Sequence, residues 1–129
     1  MNFFERRKKL KKANYLELTP VHLMKYHADE NNLVTIQIPK FTSQFSMRYI
    51  MSKLKNPYIR LKLDELGSAA WLEIDGKKRV SEIAENLLKK YGSKIQPVEE
   101  RLTKFLTQLY EQRLITFEEI KGEKLWEKY

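Results

Sequence analysis

The stretch LDELGSAAWLEIDGKKRVSEIAENL, Leu63 to Leu87, reads as two short helices and the turn between them. Asp64 suits the N-cap of the first, because its carboxylate can accept from the orphan N–H groups of the opening turn. Leu66, Ala70 and Ile74 then share one face, with Trp71 beside them. Asp75-Gly76 ends that helix. Ser81 is expected to cap the second, whose apolar side is Ile83, Ala84, Leu87, Leu88 and Tyr91. Ala69 and Ala70 allow a neighbouring element to approach closely, and Trp71 fills the space beside them. Nothing here has the character of a catalytic group, so the stretch reads as scaffold and function is sought in its flanks.

Downstream, Gly92 stands at the expected C′ position and Pro97 suits the first turn of a third helix, about Pro97–Gln112. Its Val98, Leu102, Phe105, Leu106, Leu109 and Tyr110 repeat at three and four. Leu114-Ile115-Thr116-Phe117 reads as a short closing strand. Upstream, Tyr58-Ile59-Arg60-Leu61-Lys62-Leu63 alternates, with Ile59, Leu61 and Leu63 inward and Arg60 and Lys62 outward, which predicts a half-buried strand with a basic outer face. Before it, Phe45, Tyr49, Ile50 and Leu54 recur at helical spacing. Val34, Ile36 and Ile38 mark another strand, hairpinned through the polar Ala28–Asn32 cluster to one spanning Val21–Tyr26. Tyr15–Leu18 also has strand character, and residues 2–12 have helix-forming composition. The order predicts an α+β, winged-helix-like domain: a three-stranded antiparallel sheet followed by three helices, with a short extra helix between strands 2 and 3. The expected organisation is a basic extension at 1–13, the domain at 14–118 with an insertion at 39–57, and a tail at 119–129.

A chain of 129 residues with 42% apolar content can bury one modest core. Cysteine is absent, which excludes thiol nucleophiles, iron–sulfur clusters and cysteine-ligated zinc, and fits a reducing compartment. No apolar run approaches a membrane span and no signal peptide opens the chain, so cytoplasmic residence is the default. The net charge of +8 is uneven: residues 1–13 hold six Lys/Arg against one Glu, and no acid occurs between Glu30 and Asp64. An anionic partner fits this distribution, as do two plain solvated basic segments.

The residues Leu63–Trp71, Ile74-Asp75-Gly76, Val80–Ala84, Tyr91-Gly92, Val98 and Phe105–Leu109, ending at Leu114-Ile115, together resemble the PqqD family. The similarity spans about residues 58–118. It implies a recognition element that binds the leader segment of a ribosomally made precursor peptide and delivers it to a modifying enzyme, a radical SAM protein in the pyrroloquinoline quinone pathway. It further implies three antiparallel strands followed by three helices. The leader would add as a strand beside Tyr58, Ile59, Arg60, Leu61, Lys62 and Leu63 and lie against the third helix. On that helix Arg101, Phe105, Gln108 and Gln112 form one stripe, with Lys104 adjacent. Phe105 fits the core as well as a groove, and the polar members of the stripe fit ordinary solvation. The extension and the insertion depart from the family pattern, so the expectation is for recognition and not for that particular cofactor.

No enzyme is expected, and no cofactor or metal. His22 and His27 point to opposite faces of one predicted strand, a poor metal pair, and read as ordinary surface or boundary residues. No nucleophile elbow or phosphate-cradling glycine loop is present. Nucleic-acid binding is the alternative, since winged-helix folds often serve it. However, the third helix mixes Arg101, Lys104 and Arg113 with Glu99, Glu100 and Glu111. Membrane contact through residues 1–13 ranks third. An open sheet edge also allows a homodimer.

Overall fold

The computed structural model describes residues 14–39 and 58–121. The helices expected at 2–12 and around 45–54, and the tail after Lys121, lie outside the described residues. Within them run β1 (Pro20–His22), β2 (Tyr26–Ala28), β3 (Val34–Pro39), β4 (Tyr58–Lys62), α1 (Glu65–Glu73), α2 (Val80–Tyr91), α3 (Val98–Glu111), β5 (Ile115–Phe117) and α4 (Glu118–Lys121). Strands β2-β3-β4 form a three-stranded antiparallel sheet, and β1 pairs with β5 in a second, two-stranded one. The three expected helices follow β4, so the fold is the α+β arrangement the sequence predicts.

Three local expectations are corrected. Tyr15–Glu17 is a 3₁₀ turn and not a strand. The turn aims the Tyr15 phenol at α3, where its Oη lies 2.9 Å from Thr107 Oγ1 and 3.2 Å from the Thr103 carbonyl oxygen, and burial pushes its pKa far up. The single strand expected over Val21–Tyr26 is two strands serving two sheets. The Leu23 N–H donates to Leu114 O beside the β1–β5 pair, and the Lys25 carbonyl accepts from Gln37 N in the other sheet. His22 and His27 therefore sit on different strands. Ser81 does not cap α2. Val80 N–H donates to Leu18 O and Glu82 Oε1 accepts from Arg79 N–H at 3.3 Å, which starts the helix earlier and leaves Ser81 exposed in its first turn.

The remaining boundaries follow the chemistry of their residues. Asp64 Oδ1 accepts from Gly67 N at 2.7 Å, the N-cap contact that starts α1. Gly76 and Gly92 take φ of +78° and +57°, backbone that an L side chain resists, and so turn the chain after α1 and α2. Trp71, Tyr110 and Phe117 are the largest fully buried side chains. Phe117 takes the Tyr15 ring edge-on at 5.6 Å and the Tyr110 ring tilted at 5.4 Å. Trp71 stacks on His22 with centroids 4.0 Å apart and receives the edge of Tyr26 at 5.7 Å. The tryptophan thus pins the sheet-to-sheet crossing onto α1, which is why the scaffold stretch carries it.

Candidate functional site

Register fixes what β4 offers. Its partners on β3 run from Thr35↔Lys62 to Pro39↔Tyr58. The Leu63 N–H donates to Val34 O at 2.9 Å, which makes 34 and 63 a hydrogen-bonded pair in the same register. Antiparallel pairs alternate, so Leu61 and Ile59 also direct their N–H and C=O groups to β3. Tyr58, Arg60 and Lys62 then direct theirs to the opposite edge, where β4 has no partner among the described residues.

Side chains alternate independently of that edge. Ile59, Leu61 and Leu63 share the core-facing side with Val34, Ile36 and Ile38, yet Ile59 remains 52% exposed. Tyr58, Arg60 and Lys62 lie exposed on the outer face. One hydroxyl holds the strand's end to the helix layer. Ser68, on α1 and 1% exposed, accepts from Val34 N at 2.8 Å and donates to Leu63 O at 3.3 Å. The oxygen occupies the place in the ladder where the chain leaves the sheet for α1.

Beyond that point a cleft of about 450 Å³ opens between β4, α1, α2 and α3. Leu66, Ala70, Leu87, Ile95 and Leu102 line its interior. Lys62, Leu63, Asp64, Arg101 and Phe105 also line it. A Cβ on Gly67 would come within 3.6 Å of Phe105 Cζ and 2.9 Å of Asp64 Oδ1, so glycine leaves room for both the aromatic ring and the helix cap. The volume lies within the range of small-ligand and side-chain pockets. Arg101 is positioned by its own Nη1, which donates to the Lys94 carbonyl at 2.9 Å.

Of the residues singled out from sequence, Lys62, Leu63, Arg101 and Phe105 meet at this cleft. Tyr58, Ile59, Arg60 and Leu61 continue along the strand away from it, and Lys104 and Gln108 on α3, with Gln112 at its C-cap, are exposed outside its lining. The interior, and Ser68, were not singled out. Leu66, Ala70 and Leu102 carry only the periodicity of core residues, and nothing local distinguishes a core position that borders a cleft. His22 is half-buried, with Nε2 at 2.9 Å from Trp71 O; a carbonyl can only accept, so this nitrogen carries the proton. Burial lowers its pKa and the bond to Trp71 O partly offsets this. Among the described residues no group of three or more His, Asp or Glu side chains is placed to hold a metal. No described helix is long and apolar enough to cross a membrane.

Fold and site define a winged-helix-like α+β domain whose sheet ends, among the described residues, in a strand with one open edge beside an apolar cleft. Residues 58–115 match the family model described as coenzyme PQQ synthesis protein D (PqqD). Over these residues, from β4 through the three helices to the start of β5, the chain is similar to the PqqD family. No curated protein and no solved structure gives a match. PqqD-family proteins are non-catalytic accessory proteins that bind precursor peptides and partner with modifying enzymes.

Proposed function

We propose that this chain is a non-catalytic adaptor that captures the leader segment of a ribosomally synthesised precursor peptide and presents it to a modifying enzyme, for which a radical SAM protein is the first candidate. The leader joins β4 as an added strand and rests one side against α3. The observation that carries this reading is the row of outward N–H and C=O groups at Tyr58, Arg60 and Lys62, running toward a cleft lined by Leu63, Leu102 and Phe105. Main-chain pairing supplies affinity with little regard to sequence, and flanking pockets supply selectivity. Arg101, Lys104, Gln108 and Gln112 border the path on the helix side.

The test uses the synthetic leader of a short peptide encoded beside this chain. Arg60→Pro and Lys62→Pro each remove one outward N–H while leaving the β3 ladder intact. Both variants should keep the wild-type melting temperature within a few degrees and lose the peptide. Unchanged binding by folded variants would rule out strand addition.

A further inference from the structure

The sheet beside the open edge has two chemically distinct faces, and an added strand must match both. On the outer face, register places Lys25, Gln37 and Arg60 in one row and His27, Thr35 and Lys62 in the next, with Tyr58 following. The paired strands contribute no carboxylate to this face. The flanking carboxylates are both engaged: Asp29, in the β2–β3 turn, accepts through Oδ1 from the N–H groups of Asn31 and Leu33, and Asp64, just past the end of β4, accepts through Oδ1 from Gly67 N. On the inner face the edge presents the uncovered Ile59, then half-buried Leu61 and Leu63, then the cleft with Phe105.

We infer, resting on the strand-addition reading above, that the guest is an extended peptide of alternating acidic and apolar residues. Acidic side chains would line up beside Arg60 and Lys62, and apolar ones beside Ile59, Leu61 and the cleft. Strand parity forces this division: whichever direction the guest runs, successive side chains fall on opposite faces, so a one-residue slip would place acids on Ile59 and leucines on Arg60. Opposite charges side by side across strands attract and like charges repel. The same rule selects against a second copy of this chain, because antiparallel self-pairing centred on β4 sets Arg60 against Arg60. The other end strand, β2, spans three residues and is a poorer template.

The experiment compares three capped eight-residue peptides by fluorescence anisotropy: DLEVDFEL, its composition-matched block form DEDELVFL, and KLKVKFKL. DLEVDFEL should bind roughly tenfold or more tightly than either of the others, a difference of about 1.4 kcal/mol. Arg60→Glu together with Lys62→Glu should reverse the preference toward KLKVKFKL. N-methylation of alternate guest residues reads the direction, since an antiparallel guest donates from the residues beside Arg60 and a parallel one from the residues between.

Equal affinity for DLEVDFEL and DEDELVFL, with both lost in Arg60→Pro, would overturn the alternation and leave strand addition standing. Binding of all three that ignores both Arg60→Pro and Lys62→Pro would overturn strand addition itself. No binding of DLEVDFEL, while the encoded leader still binds in a proline-sensitive way, would overturn the alternation alone. Displacement of DLEVDFEL by a single-stranded oligonucleotide, with a steep loss of affinity in salt, would make the outer face a nucleic-acid platform instead.

Discussion

Strands β4 and β5 bracket the three helices and differ in nearly every respect that matters to a partner. All three residues of β5 are buried, whereas four of the five in β4 are exposed. β5 is also locked from outside. Thr19 donates its N–H and hydroxyl to the two oxygens of Glu119 at 2.7 and 2.9 Å, and Glu118 N–H donates to Thr19 O. No equivalent lock covers β4 among the described residues. The same kind of element is thus closed at one end of the domain and open at the other. The open one borders the cleft.

That contrast predicts unequal responses to mutation. Phe117→Ala empties a fully buried aromatic site between Tyr15 and Tyr110 and should cost about 3–5 kcal/mol, read as a lower urea midpoint with unchanged slope. A cost near zero would mean that β5 is not the closed element described here. Ser68→Ala strands the Val34 N–H in the interior and should cost about 1–3 kcal/mol. Amide exchange at Leu63 should rise more than at Ile36, because Ser68 holds the end of the β4 ladder.

Acid sharpens the comparison further. The Glu119 carboxyl is raised by burial, but the Thr19 N–H, its own backbone N–H and the Thr19 hydroxyl outweigh this and hold its pKa below the usual 4.5. Its stabilisation is complete above that value and lost as pH falls through the depressed folded pKa. Solvent screening limits the amount to less than about 1 kcal/mol. Glu119→Gln should flatten this part of the acid limb. His22 acts in the same direction at higher pH. Its lowered folded pKa means that unfolding takes up a proton between that value and 6.5, so its contribution is complete above pH 6.5 and declines below it. His22→Phe should keep the ring on Trp71 and remove this pH slope; a slope that persists would assign it to another group. The smallest stability effect belongs to the open strand: Arg60→Ala should change the urea midpoint by no more than about 0.5 kcal/mol.

Much of this organisation is legible in the sequence because local chemistry specifies it. Asp64 caps α1, Gly76 and Gly92 turn the chain, and alternation around Arg60 and Lys62 announces a strand with one basic face. What could not be read depends on contacts between distant residues. Tyr15 turns inward to meet Thr107, 92 positions away, so a segment of strand-like composition becomes a 3₁₀ turn. Val21–Tyr26 divides because Leu114 and Gln37 claim its two ends. The clasp between Thr19 and Glu119 spans 100 positions and leaves no local pattern. The cleft interior is silent for another reason: Leu66, Ala70 and Leu102 would look the same if α3 packed a few ångströms closer.

Residue-resolved amide exchange along β4, with and without peptide, tests the central claim most directly. In the free protein, Ile59, Leu61 and Leu63 should exchange slowly while Tyr58, Arg60 and Lys62 exchange fast. Adding DLEVDFEL or the encoded leader should slow the second set and leave the first unchanged. Slow exchange at all six before any peptide is added, or fast exchange at Arg60 and Lys62 in the saturated complex, would contradict it.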